Sequence, residues 1–337
     1  MGEQGTDYSS DNCNSEGDHL PSVLSLNNKQ LDTTRLEEYL EEIVVNEPEN
    51  VRKIEVLKAT NNLLRSVPKN INHFTSLRKL DISDNRITYL PDVFKHLPLT
   101  SLIARGNLLT NNSLPKVFTS SKWVREINFT SNLFTGFPEQ ILVFKNLRYL
   151  YLGSNKICSV PNAISKLTNL RLLHIYNNLV ESIPESIANL KHLKALRLHD
   201  NNLKTLPRDI VTLDNLLYLS LRDNPLVNRF ISDMTHQPTS LMELSARAVK
   251  LFNIPVQEGE IPATLSEYLS TAHRCVNPRC RGVFFNKRVE HVKFVDFCGK
   301  YKIPLLQYLC SSKCIEGEEN GLELTSNSDM MRKVLLG

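Results

Sequence analysis

The sequence predicts an α/β fold, a curved solenoid of short parallel strands with turn-like outer connections, and three observations predict it. The segments LRKLDISDNRITYLP, LRYLYLGSNKICSVP, LRLLHIYNNLVESIP and LKALRLHDNNLKTLP share one pattern. Asparagines recur at Asn62, Asn85, Asn107, Asn132, Asn155, Asn178, Asn201 and Asn224, spaced by 23, 22, 25, 23, 23, 23 and 23 residues. A proline follows most of them, at Pro68, Pro91, Pro138, Pro161, Pro184 and Pro207. Self-similarity at a period of 20 to 50 residues is the mark of a solenoid, in which each unit buries its apolar face only against its neighbours.

Taken in chain order, the acidic start comes first. The first 50 residues hold 12 acidic and 2 basic side chains, a net charge of −10, and the rest hold 24 and 38, a net +14. Residues 1–34, rich in Asp, Asn and Ser, carry too little apolar surface to offset chain entropy and are expected to be disordered. LEEYLEEIVV at 36–45 reads as an amphipathic helix, and residues 35–50 are expected to cap the first repeat. MGEQGTDYSS has neither the basic flank nor the apolar core of a secretory signal, and no run approaches the roughly 18–20 apolar residues of a membrane span. A cytoplasmic protein is expected.

Residues 51–236 then read as eight leucine-rich repeats, a horseshoe. Leu147, Leu150 and Leu152 point inward from a short strand, and Asn155 turns the chain while satisfying neighbouring backbone. The prolines suit an extended or turn-like convex side rather than long helices. The third repeat lacks one and precedes the longest spacing, so a local bulge is expected near residues 108–123. Strand alternation exposes the residues between the leucines. In the last four repeats these include Tyr149, Tyr151, Leu172, His174, Tyr176, Arg197, His199, Tyr218 and Arg222, with Asp200 and Asp223 beside them. Tyr and Arg concentrate at interaction hot spots, so Tyr149, Tyr151, His174, Tyr176, Arg197, His199, Tyr218 and Arg222 are expected to bind a protein substrate. The histidines read as contact residues rather than metal ligands.

Residues 237–270 are expected to be helical. Pro238 suits a first helical turn, and Leu241, Leu244, Ala248, Val249 and Phe252 follow at helical spacing. SLMELSARAV resembles the elongin-binding box of the suppressor-of-cytokine-signalling (SOCS) domain, with Ser240, Leu241, Leu244, Ser245 and Val249 at its motif positions. IPATLSEYL resembles the cullin 5 box of the same domain, with Ile261, Pro262, Leu265, Tyr268 and Leu269 at its positions. The resemblance implies an adaptor, elongin B/C, held by the first set, and cullin 5 held by the second.

Five of the seven cysteines fall within residues 275–314. Cys275 and Cys280 form one short-spaced pair and Cys310 and Cys314 another, with 29 residues between the pairs. Two turns presenting two sulfurs each suit a structural zinc ion held by four thiolates. Buried free thiols and a redox role are the alternatives, and Cys298 and His291 are reserve ligands. Residues 271–309 carry eight basic and two acidic side chains but lack the aromatic interleaving of a nucleic-acid platform. Residues 315–337 read as a flexible tail.

LSLRDNPLVNRFI, HRCVNPRCRGVFF, VKFVDFCGKYKIPLLQYLC and the terminal KVLLG also resemble a family of intracellular leucine-rich repeat proteins with a Cys-bearing C-terminal module. That resemblance implies a non-enzymatic protein. No nucleophile with an orienting base, phosphate-cradling loop or carboxylate pair stands out. With the two boxes, the expected function is substrate recognition for a cullin-RING ubiquitin ligase. A signalling scaffold is the alternative.

Overall fold

The structure, a computed structural model, describes residues 22–227, 240–256, 260–277, 280–297, 301–316 and 333–335. Its spine is a ten-stranded parallel sheet. The strands follow sequence order: β1 (Ser22–Ser25), β2 (Ile54–Lys58), β3 (Lys79–Asp81), β4 (Ser101–Ile103), β5 (Glu126–Asn128), β6 (Tyr149–Tyr151), β7 (Leu172–His174) and β8 (Ala195–Arg197). A two-residue strand, β9 (Leu206–Pro207), leaves the chain on the outer side before β10 (Tyr218–Ser220) resumes the sheet. The middle residue of each repeat strand is aliphatic and faces the core. Leu80, Leu102, Ile127, Leu150, Leu173, Leu196 and Leu219 lie in register and are at most 1% exposed.

All eight asparagine-marked repeats are present, and the asparagines hold them together. Asn178 is representative: its Oδ1 accepts from the Ile157 amide at 2.9 Å, while its Nδ2 donates to the carbonyls of Leu152, Ile175 and Tyr176. One amide side chain thereby satisfies backbone from two successive turns, which buried polar groups require. The residue before each asparagine lies in the left-handed region, with φ between 49° and 63° at Asn61, Asp84, Gly106, Ser131, Ser154, Asn177, Asp200 and Asp223. Gly, Asn and Asp tolerate that conformation best, and they fill six of the eight places. On the convex side, Pro68, Pro138, Pro161, Pro184 and Pro207, with φ between −74° and −64°, each start a five-residue 3-10 turn.

The third repeat is irregular where the missing proline predicts it. It holds only the short turn Asn111–Ser113, and Phe118 fills the remaining space, its ring 5.3 Å from Phe94 and 5.7 Å from Phe144.

Three expectations need correction. Residues 22–34 are ordered rather than disordered: β1 pairs with β2, and Leu26 is buried, so a further turn precedes the eight. Lys29 and Leu31 donate their amides to Asn62 Oδ1, so the added turn docks onto the asparagine array. The turn is closed by α1 (Thr33–Asn46), capped by Asp32, which buries Leu36 and Leu40, and by the short α2 (Pro48–Val51). Residues 1–21 lie outside the described residues.

The second correction concerns the C-terminal module that follows the repeats, expected from the sequence to be small and helical, which is only partly helical. It contains α3 (Leu241–Leu251) and α4 (Ala263–Ser270), a small ladder of β11 (His273–Arg274) with β12 (Val283–Phe284), and a long hairpin of β13 (Val289–Phe297) with β14 (Tyr301–Leu309). β14 pairs in parallel with β9, so Leu305 lies opposite Leu206 and Leu306 opposite Pro207. Ile303 and Leu305 thereby join the repeat core. Third, the tail is not structureless throughout: α5 (Lys313–Glu316) follows the hairpin, and β15 (Lys333–Leu335) pairs with the edge strand β10. Among the described residues no helix is long and apolar enough to cross a membrane.

Candidate functional site

The sheet face of β6 to β10 gathers its large side chains into one stacked group. Tyr151 meets His174 edge-on at 5.0 Å, and Tyr176 stacks on His199 at 4.9 Å with rings 2° from parallel. The Arg197 guanidinium lies 5.3 Å from the Tyr218 ring, and Ser220 Oγ is 3.1 Å from His199 Nδ1. Gly153 makes this possible. A Cβ there would stand 2.5 Å from the Tyr176 ring, so the glycine leaves the room in which Tyr176 lies. No reading of the exposed side chains alone points to that residue.

Burial divides the predicted contact set. Tyr149, Tyr151, Tyr176, Arg197, His199, Tyr218 and Arg222 are half-buried and reach solvent. His174 does not; it is only 7% exposed, and Tyr151 and Tyr176 pack beside it. It therefore positions its neighbours rather than presenting a contact of its own. Burial, with Arg197 and His199 close by, lowers its pKa to about 3, so the imidazole is neutral. Burial also depresses His199, aided by Arg222 and Arg197. Among the described residues the Nε2 of His174 and the Nε atoms of Arg197 and Arg222 are buried without hydrogen-bond partners.

The four predicted cysteines converge. Their sulfurs all lie within 4.8 Å of one another, with Cys280 to Cys310 at 3.5 Å and Cys310 to Cys314 at 3.6 Å. A tetrahedron of metal–sulfur bonds about 2.3 Å long has sulfur–sulfur edges of about 3.8 Å, so the closer pairs fit the group with little movement. The Gly282 amide donates to Cys280 Sγ at 3.2 Å, and the Cys310 amide to Cys275 Sγ at 3.5 Å, as thiolates accept in metal sites. Burial and the adjacent sulfurs push the Cys310 thiol well up, a crowding that a cation relieves. Gly282 is required here too, since a Cβ would approach Cys310 Sγ to 2.5 Å. His291 is on β13 outside the quartet, and Cys298 lies outside the described residues.

α3 and α4 lie against this module. Ser240 caps α3, accepting from the Glu243 amide. The buried residues of α3 are Glu243 and Ala246, whereas Leu241 is 80% and Leu244 50% exposed. Glu243 accepts from the amides of Phe285 and Lys287 and from Arg247, whose Nη1 also donates to the Cys310 carbonyl at 2.9 Å. On α4, Leu265 is exposed, but Tyr268 is stacked on Phe285 at 4.7 Å and so is partly spent within the chain. Val249, Ile261 and Leu269 line an open cleft of about 920 Å³ between the two helices. Arg208 of the seventh repeat donates to the Val276 carbonyl, fixing the module to the solenoid.

The asparagine array, the inward leucines and the cysteine module define a leucine-rich repeat protein with a four-cysteine appendage. The family described as Leucine-rich repeat region matches residues 123–257, and that described as Leucine Rich Repeat matches residues 76–97. A solved Leptospira interrogans LRR protein aligns with a TM-score of 0.52 and 27% identity over 60% of this chain and 49% of its own. Leucine-rich repeat-containing protein 58 of Xenopus tropicalis is 38% identical over 321 residues, 86% of this chain and 92% of its own length. The Xenopus laevis and human proteins of the same name match at 45% and 51% identity over 35% and 24% of their lengths. The chain belongs to the leucine-rich repeat-containing protein 58 family.

Proposed function

We propose that this leucine-rich repeat protein is the target-selecting subunit of a cullin-RING ubiquitin ligase, with elongin B/C and cullin 5 as partners and a target held by the repeats. The outward face of α3 carries the reading. A helix that merely capped the solenoid would bury its leucines. This helix instead buries Glu243 and Ala246 and leaves Leu241 and Leu244 in solvent, with Ser245 beside them. Those are the motif positions of the elongin-binding box, and an exposed leucine at the start of a helix is the shape that enters a partner's apolar groove. Ile261, Pro262, Leu265 and Leu269 then offer the cullin contact, with Tyr268 the least available of that set.

In this reading the cysteine module is a zinc-stapled bracket. Zinc on Cys275, Cys280, Cys310 and Cys314 holds together loops with little apolar packing of their own, and Arg247 passes that order to α3 through the Cys310 carbonyl. The subunit supplies proximity rather than chemistry. The test is coexpression with elongin B and C followed by copurification. Wild-type protein is expected to retain the adaptor and Leu241→Ala to lose it with the repeats still folded, because truncating a buried anchor costs about 2 kcal/mol or more. Wild-type protein that leaves the elongins unbound would make the chain a scaffold instead.

A further inference from the structure

The N-terminal edge of the sheet carries a row of charge with no counterpart. Four successive turns place a cation immediately before their strand: Arg125, Arg148, Arg171 and Lys194. They are adjacent rungs, since the amide of Arg148 donates to the Arg125 carbonyl, that of Arg171 to Arg148, and that of Lys194 to Arg171, at 2.7–2.8 Å. Three residues earlier in three of these turns stand Lys122, Lys145 and Lys191, all exposed. Asn146, Asn169 and Asn215 donate to their carbonyls and hold that backbone in place.

Residues 122–125, 145–148, 168–171 and 191–194 contain no carboxylate. None of the seven cations pairs with an acidic side chain among the described residues. Arg125 does give one Nη1 to the Lys122 carbonyl, and partial burial with Arg148 beside it depresses its pKa. With strands about 4.8 Å apart, the four rungs span about 14 Å. A row of like charge of this length repels itself in the free protein, and an anionic partner laid along it relieves that repulsion.

Two observations select the kind of anion. The aromatic and histidine rings on the neighbouring face are already stacked on one another, so their faces are not open to nucleobases. The row is also bounded, because the next turn puts Asp214 at the place of Lys191, and a long uniform polyanion would run onto it. We propose that this ledge anchors the target by taking a short, extended acidic protein segment laid across the turns, its carboxylates against Arg125, Arg148, Arg171 and Lys194, while the Tyr and Arg group beside it reads the adjoining surface. The proposal rests on the reading that the repeats hold a protein target, and it is independent of the adaptor helix.

The test uses the full chain and a short oligo-L-glutamate peptide as the probe, with a single-stranded oligouridine RNA and phosphatidylserine-containing vesicles in parallel. Saturable binding of the oligo-L-glutamate peptide is expected to weaken about tenfold between about 50 and about 300 mM salt, as the Debye length falls from about 14 Å, the length of the ledge, to about 6 Å. The triple variant Arg148→Glu, Arg171→Glu, Lys194→Glu should lose the binding at least tenfold while keeping its circular dichroism and thermal midpoint. Elongin copurification should not change; its loss in the wild type would count against the ligase reading alone. No saturable binding, undiminished binding by the folded triple variant, or a ledge-dependent preference for the RNA or the vesicles would overturn the proposal. Were the triple variant to misfold, Arg171→Gln alone decides, with a smaller loss expected and an unchanged affinity refuting.

Discussion

Removing Arg247 is expected to unseat α3 while the repeats stay folded. The Glu243 side chain is 2% exposed and that of Arg247 19%. The carboxylate receives Arg247 Nε at 3.1 Å and Nη2 at 2.5 Å, and the amide of Lys287 at 3.0 Å. Arg247 also donates to the carbonyls of Cys310 and Lys287. Arg247→Ala therefore leaves a buried carboxylate with two backbone donors and no countercharge, and strips donors from two carbonyls. Breaking a buried pair from one side costs about 3–5 kcal/mol, and the partial exposure of the arginine places this case near 3. Local opening of α3 should become about a hundredfold more frequent, read as faster amide exchange across residues 241–251 with exchange in β2 to β8 unchanged. The double change Glu243→Ala, Arg247→Ala should cost less than Arg247→Ala alone, because it removes the orphaned charge. A rise of less than about threefold, or a double variant worse than the sum of the singles, would refute this account of the pair.

Three further expectations follow from other parts of the molecule. Asn178→Ala orphans the Ile157 amide and takes one of two donors from the Leu152 carbonyl, which Asn155 still serves, and should cost about 1–3 kcal/mol in urea unfolding, whereas Asn177→Ala, exposed at φ 49°, should cost about 1. Elemental analysis should find one zinc per chain, and Cys280→Ser or Gly282→Ala should reduce occupancy below half, the glycine because its Cβ would press on Cys310 Sγ. His174 has a pKa of about 3 when folded, below its unfolded value, so the unfolded chain binds the extra proton; stability is full above about pH 6.5 and is lost as pH falls toward 3. That amounts to about 2 kcal/mol between pH 7 and 5, and the urea midpoint of His174→Gln should fall less over the same range.

The repeats were legible because one asparagine does the same task in every turn and its spacing survives in the sequence. The turn before them was not: Lys29 stands where the asparagine would, and α1 and α2 lengthen that repeat, so the period breaks although Leu24, Leu26 and Leu31 keep the pattern. The cysteine quartet could be read from spacing alone, since short pairs make turns. The Glu243–Arg247 pair could not, because four-apart opposite charges on a helix look like an ordinary surface pair. Its burial comes from Phe285 and Lys287, more than 40 residues onward. The hairpin of β13 and β14 went unread for a related reason. Its partner is β9, a strand of two residues that exists only because the hairpin pairs with it.

That pairing bears on how such a chain can change length over evolution. Solenoids grow or shrink by whole turns, and a duplication before β6 would lengthen the array without altering the distance from the stacked Tyr, His and Arg face to α3. A duplication after β9 would carry Leu206 and Pro207 away from Leu305 and Leu306 and tear the cysteine module from its seat. Variation in repeat number among related chains should therefore accumulate toward the N-terminal half, leaving the final three turns and the hairpin to be inherited as a unit.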